Sequence, residues 1–163
     1  MSDVNFGQML NNLANVYESK RQYGWAEDTY IRALHVTEEQ FGRNHRQFAN
    51  ILDNLGYLYM TIGRYEEAEV QVRQSLAIAE RSALGLDDVV IRSLHALGKI
   101  HMKRNEDAQA EAALSRALAI ARENGISKPE AAEVLETYSQ LLLEEARRIR
   151  ASSAFTIHID NAQ

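Results

Sequence analysis

The sequence repeats itself three times at an interval of 42 residues, with no gap between the copies. Matched positions carry the same residue types, among them Leu10, Leu52 and Leu94; Leu13, Leu55 and Leu97; Ala26, Ala68 and Ala110; and Glu27, Glu69 and Glu111. A period of about 20 to 50 residues is typical of proteins that stack one supersecondary unit on the next. The sequence therefore predicts an array of three units, each burying its apolar face against its neighbours.

Each copy contains two stripes of apolar residues spaced by three and four positions, which is the period of an amphipathic helix. In copy one these stripes are Leu10, Leu13, Ala14 and Tyr17, followed by Ala26, Tyr30, Ala33 and Leu34. One proline and eight glycines among 163 residues leave few interruptions. We expect an all-α fold with helices at 4–20, 23–41, 46–61, 64–83, 87–103, 106–124 and 128–150.

Turn-forming and small residues indicate how the two helices of a copy meet. Gly63 and Asn105 tolerate a left-handed turn between the helices, whereas Arg21 is a poorer residue at the equivalent place. Small side chains at the helix crossing allow close approach, and larger ones would overpack it. The small residues expected to face each other across the three hairpins are Ala14 and Ala26, Gly56 and Ala68, and Gly98 and Ala110.

The boundaries between copies carry their own signals. Glycines that can end a second helix are Gly42, Gly85 and Gly125, and candidate N-caps of the next helix are Asn44 and Asp87. The repeats are expected at about 3–43, 44–86 and 87–126, within a domain that spans 1–150. Residues 127–150, which open on a capping-box pattern at 127–130, form a terminal capping helix. The tail, 151–163, alternates Phe155, Ile157 and Ile159 in a strand-like pattern, and either frays or docks into a groove.

Composition and charge exclude several classes of function. The formal net charge of −5 gives the chain no general attraction for phosphate backbones or anionic lipid, so we expect no nucleic acid or membrane partner. Cysteine is absent, which fits a reducing compartment and a cytoplasmic location. The five histidines show no zinc-site spacing, and no phosphate loop or nucleophile elbow is visible. The sequence therefore predicts neither an enzyme nor a metal or cofactor site.

The repeat resembles the tetratricopeptide repeat (TPR). The family's order of a large residue, Leu-Gly, Tyr, Ala, an aromatic residue and Ala corresponds in copy one to Leu10, Leu13-Ala14, Tyr17, Ala26, Tyr30 and Ala33. The 42-residue period resembles the kinesin light chain type, and the likeness covers about residues 3–145. It implies an α-solenoid, a right-handed superhelix of three hairpins plus the capping helix, whose first helices line a concave surface.

The resemblance places a candidate binding surface on those first helices, whose exposed sides are also expected to carry Gln8, Asn11, Ser19, Asp53, Thr61 and Lys103. Its residues are Asn12, Asn15, Asn50, Asn54, Tyr57, Arg92, His95 and Lys99. Asparagine side chains can bond a peptide backbone, and the cations favour an acidic group. Asn11 and Ala96 stand where carboxylate-clamping members carry cations, so we do not expect that activity.

These observations favour a protein-interaction scaffold that binds a protein or peptide on its concave face. Two alternatives stay open: a peptide-sensing regulatory domain of a larger protein, and a self-assembly module. In the last case a homo-oligomer would form through Trp25 or through the tail. Trp25 otherwise packs within the first hairpin.

Overall fold

The computed structural model describes residues 5–82, 85–123 and 128–160. These residues form seven α-helices and no strands, which confirms the all-α prediction. The helices are α1 (Phe6–Ser19), α2 (Tyr23–Phe41), α3 (Arg46–Thr61), α4 (Tyr65–Arg81), α5 (Asp87–Lys103), α6 (Asp107–Glu123) and α7 (Lys128–Asp160). For the first six, every predicted end lies within two residues of the observed one.

The helices pair as successive hairpins that stack along the chain. α1 packs against α2, α3 against α4, and α5 against α6, while α2 also packs on α3, α4 on α5 and α6 on α7. The odd-numbered helices contact one another in the order α1, α3, α5, α7. They therefore form one continuous layer, the inner layer, and the even-numbered helices form the other.

The close helix crossings depend on glycine, as the sequence predicts. A Cβ on Gly56 would lie 2.5 Å from Cγ2 of Val72, and one on Gly98 would lie 2.6 Å from the Leu114 side chain. The backbone oxygen of Ala68 is farther from the Gly56 position, at 3.4 Å. The expected close approach is confirmed, but the groups that enforce it are Val72 and Leu114, which are both fully buried.

The turn inside each hairpin is left-handed at one residue. Arg21 has φ 59°, Gly63 φ 79° and Asn105 φ 58°, so all three copies adopt the same turn. A side chain other than that of glycine or asparagine adds steric cost there, and copy one accepts that cost at Arg21.

The predicted helix N-caps are wrong by one residue. His45, rather than Asn44, caps α3, since its ring nitrogen accepts a bond from the backbone N–H of Gln47. Asp87 is the first residue of α5, and the cap position is Leu86, which is buried. The carboxylate of Asp87, within the first turn of α5, stabilises the positive end of that helix dipole. Gly125 and Ser127 lie outside the described residues.

The strand-like pattern predicted for the tail is wrong, because α7 continues through residues 151–160. No glycine or proline occurs after Pro129, so nothing in the backbone ends the helix at 150. Three alternating apolar residues are a weaker signal than an uninterrupted helix that precedes them. Among the described helices, none is long and apolar enough to cross a membrane.

Candidate binding surface of the inner layer

Two clefts lie side by side on the inner layer, where α5 meets α3 and α7. The first has a volume of about 160 Å³ and is lined by Tyr57, Asp88, Ile91, Arg92, His95, Glu133 and Val134. The second has a volume of about 240 Å³ and is lined by Lys99, Met102, Lys103, Thr137, Gln140 and Glu144. Four of the eight residues that the sequence singles out are brought together here: Tyr57, Arg92, His95 and Lys99.

The floor beside the first cleft holds a buried carboxylate. The Asp53 side chain is 0% exposed, so its expected place on the open surface is wrong. Its oxygens accept bonds from Nε of Arg92 at 3.1 Å and from the hydroxyl of Ser93 at 2.8 Å. Burial raises the pKa of the Asp53 carboxyl, and the guanidinium of Arg92 opposes that rise. Arg92 also donates to Oδ1 of Asn50 at 2.5 Å. The bonds of Arg92 to Asp53 and Asn50 therefore join α5 to α3.

Tyr57 and Lys99 form a cation–π contact between the two clefts. The ammonium of Lys99 lies 5.6 Å from the centre of the Tyr57 ring, within the range at which such contacts are attractive. Burial and the negative charge of Asp53 raise the pKa of Tyr57 to about 12. The phenol therefore remains a neutral hydrogen-bonding group in the wall of the first cleft.

His95 connects α5 to α7. Its Nε2 lies 2.7 Å from the hydroxyl of Thr137, and that hydroxyl donates its own proton to the backbone oxygen of Glu133. This arrangement favours the tautomer in which Nε2 carries the imidazole proton and Nδ1 is an acceptor. Burial and the positive charge of Lys99 lower the pKa of His95, against a weaker opposing effect of Glu133. The ring is thus neutral near pH 7.

The predicted asparagines serve bonds within the protein and do not line the two clefts. Asn54 donates to Asn11 at 2.9 Å, and Asn12 accepts from the side chain of Gln8. Asn15 accepts from the hydroxyl of Tyr30 in the same hairpin. The expectation that these amides wait for a peptide backbone stays a prediction, and each would have to exchange an existing bond.

Many contacts between neighbouring inner helices join positions one period apart. Asn5 and Gln47 exchange two amide hydrogen bonds, of 2.5 and 2.8 Å, across 42 residues. The pairs Asn50 with Arg92, Tyr57 with Lys99, and His95 with Thr137 have the same separation. The inner layer is therefore held by rows of polar contacts, one row between each pair of adjacent helices.

The contribution of α7 to the clefts was not anticipated, because the sequence predicts this helix only as a cap. Its polar residues Glu133, Thr137, Gln140 and Glu144 are spaced by four, three and four positions. That spacing places them on one side of a helix, and the signal was available in the sequence. Within the part of the chain that the structure describes, no cluster of three metal-ligating side chains occurs.

Comparison with known families supports the repeat assignment. Residues 5–81 and 93–126 each match a family model described as tetratricopeptide repeat. The chain belongs to the tetratricopeptide repeat family. Repeats of this family generally mediate protein–protein interaction, and the fold is typically a non-catalytic scaffold. No match is found among curated proteins.

Solved structures share the fold at low sequence identity. BtubC (BKLC) from P. vanneervenii is 20% identical, with a TM-score of 0.67, over 91% of this chain and 64% of that one. A Podosopora anserina protein with nearly identical TPR-like repeats of the kinesin light chain type is 16% identical, with a TM-score of 0.68, over 92% and 72%. The Sgt2 TPR domain from Aspergillus fumigatus is 18% identical, with a TM-score of 0.62, over 87% and 82%. This chain therefore spans less than two thirds of the first relative.

Proposed function

We propose that this TPR chain is an interaction scaffold that binds an extended, acidic segment of a partner protein along the two clefts. The observation that carries the proposal is the pair of cations Lys99 and Lys103 in the second cleft. Among the described residues neither ammonium forms an ion pair, whereas Arg92 is already bound to Asp53. Such side chains can offer a carboxylate charge-assisted hydrogen bonds without breaking an ion pair within the protein.

The walls of the clefts suit an extended segment. Ile91, Val134 and Met102 supply apolar surface, while Gln140 and the neutral His95 supply hydrogen-bonding groups. A segment that passes from one cleft to the other would cross the Tyr57–Lys99 contact. Its acidic side chains would then meet Lys99 and Lys103, and its apolar ones would meet the aliphatic walls.

The surface is already ordered, which favours affinity. Arg92, Asp53 and Ser93 are fixed by mutual hydrogen bonds, and His95 is fixed by Thr137. Binding therefore immobilises few additional side chains on the protein, and the entropic cost falls mainly on the partner segment.

A charge-reversal pair tests the proposal. Lys99→Glu with Lys103→Glu should abolish capture of a partner from the native extract and weaken the purified complex at least tenfold. The matched control is Arg32→Glu with Arg122→Glu, which changes the net charge equally on exposed positions of α2 and α6. A partner retained by the first variant, or lost equally from both, contradicts the proposed site.

A photo-crosslinking side chain locates the contact directly. Placed at Lys103, it should attach to the captured partner, whereas the same group at the exposed Gln74 of α4 should not. Crosslinking from position 74 alone would place the partner on the layer formed by the even-numbered helices and overturn the proposal.

A further inference from the structure

An apolar stripe lies uncovered on α1. Phe6, Met9, Leu13 and Val16 follow one another by three, four and three residues, so they share one side of the helix. Their exposed fractions are 55, 59, 42 and 46%. Four large apolar side chains in a row make a contiguous patch, unlike the isolated apolar residues normal on a surface.

The repeat itself shows what such a stripe does. One period later the same positions are Phe48, Ile51, Leu55 and Leu58, and none of them is more than 4% exposed. α3 packs against α2 of the preceding hairpin, and this stripe lies away from Gly56 and Asp53, which face α4 and α5. The stripe on α3 is therefore the contact between repeats, and the equivalent stripe on α1 is exposed among the described residues.

An aromatic residue extends the patch onto α2. Trp25 is 65% exposed, and its ring lies 6.3 Å from that of Tyr17, so it packs only partly within the first hairpin. In copy two the equivalent of Tyr17 is Tyr59, which donates to Glu27 of the preceding repeat. Trp25 is thus continuous with the surface that a preceding element would meet. We call Phe6, Met9, Leu13, Val16 and Trp25 the N-terminal face.

The N-terminal face lacks the ion pairs of the contacts between repeats. In copy two Arg64 bonds both Glu67 and Glu27, the latter from the preceding repeat. Copy one carries Gln22 in place of Arg64 and Trp25 in place of Glu67. A preceding repeat with a glutamate at the position equivalent to Glu27 would therefore meet no arginine on the N-terminal face. An apolar, uncharged surface is the better match for this face.

A second N-terminal face has that character. The one charged residue within α1 is Glu18, which accepts a bond from Tyr30 inside the hairpin. Two α1 helices can pair without burying an unpaired charge, which is otherwise costly. In an antiparallel pair Phe6 would lie opposite Val16, and Met9 opposite Leu13, since the spacing is the same in both directions.

We propose that a second copy of the chain covers the N-terminal face, with the two α1 helices antiparallel about a twofold axis. The contact is isologous, so it closes at a dimer. This dimer contact is separate from the proposed partner binding and leaves the clefts on α3, α5 and α7 uncovered. Such a dimer presents two cleft pairs, and a partner with two acidic segments would gain avidity.

Sedimentation equilibrium of the full chain, from about 1 to about 300 µM, tests the proposal across the range expected of a small interface. Wild type should rise from monomer to dimer mass, and Leu13→Glu should stay monomeric at every concentration. The control Leu142→Glu makes the same change at a leucine of similar exposure, 45% against 42%, at the other end of the molecule. It should dimerise like wild type.

Disulfide trapping checks the register, because the chain has no natural cysteine. Mixing Met9→Cys with Leu13→Cys under mild oxidation should give the crosslinked dimer faster than either variant alone. A wild-type chain that stays monomeric would assign the face to another protein and overturn the second-copy proposal. So would a dimer that survives Leu13→Glu, or one that is lost on Leu142→Glu or on deletion of residues 152–163. Circular dichroism of each variant confirms that the exposed substitutions leave the helices intact.

Discussion

Replacing Arg92 by methionine should destabilise the protein, because the buried carboxylate of Asp53 would lose its cationic partner. Arg92 is the cationic partner of Asp53, whose side chain is fully buried while that of Arg92 is 40% exposed. Methionine keeps the aliphatic length of the arginine but not its charge or its bonds to Asp53 and Asn50. The variant therefore leaves a carboxylate in the core with only hydroxyl partners.

The size of the effect follows from the burial. Removing one partner of a buried ion pair costs about 3–5 kcal/mol, because the remaining charge is uncompensated. The partial exposure of Arg92 admits water to one side of the pair, so we expect about 3 kcal/mol. With a urea m-value of about 2 kcal/mol/M, the unfolding midpoint should fall by roughly 1.5 M.

Urea unfolding followed by far-ultraviolet circular dichroism measures this loss at pH 7 and at lower pH. The pKa of Asp53 lies above its ordinary value in the folded protein, and loss of Arg92 raises it further. Between the pKa of 3.8 that Asp53 has in the unfolded chain and its higher pKa in the folded variant, the folded state then binds more protons than the unfolded state. By linkage, stability rises as pH falls through that window, so the penalty of Arg92→Met should shrink toward pH 4.

The double variant Asp53→Asn with Arg92→Met isolates the cause. An amide at position 53 needs no countercharge and can still accept the bond from Ser93, so most of the loss should be recovered. A loss below about 0.5 kcal/mol at pH 7 refutes the reasoning. A loss that the asparagine does not reduce refutes it as well, because the cost would then come from the arginine's packing.

Three further predictions concern the crossings, the turns and the link to α7. Gly56→Ala should cost about 1–2 kcal/mol by chemical unfolding, since its Cβ would meet Val72 at 2.5 Å. Gly24→Ala, with open space around the Cβ, should stabilise the helix by about 0.5–1 kcal/mol; equal effects would contradict the packing argument. Arg21→Gly should raise the free energy of unfolding, measured by thermal denaturation, by about 1 kcal/mol, because glycine relieves the left-handed conformation. A decrease would show that contacts of the arginine side chain contribute more than the conformational strain costs. Because the pKa of His95 is lowered in the folded state, stability should fall as pH drops below about 6.5, by at most about 1.4 kcal/mol per pH unit. His95→Asn should flatten that part of the stability profile, and an unchanged slope would assign it to other groups.

The fold was predictable because its signal is periodic and local. Leu13, Leu55 and Leu97 recur at one interval, and the spacing within each copy is helical, so neither the helices nor their stacking required knowledge of long-range geometry. The caps were less predictable: His45 and Asn44 are both able to cap α3, and only the backbone path decides between them.

The candidate site was predictable in part. Tyr57, Arg92, His95 and Lys99 occupy positions that the family resemblance assigns to the inner helices, and the structure brings them together. The pairing of Asp53 with Arg92 joins residues 39 apart, which is not a whole period. It depends on how far α5 is rotated relative to α3, and a one-dimensional pattern does not carry that angle.

The rows of polar contacts one period apart have a mechanical consequence. Each row joins only two adjacent inner helices, and half-buried contacts, such as Tyr57 with Lys99, can separate without unfolding either helix. The protein should therefore extend reversibly under tension along its axis. The rows should separate one at a time, and the curvature should return when the force is released. A ligand that bridges both clefts would span the joint between α5 and α7 and stiffen it.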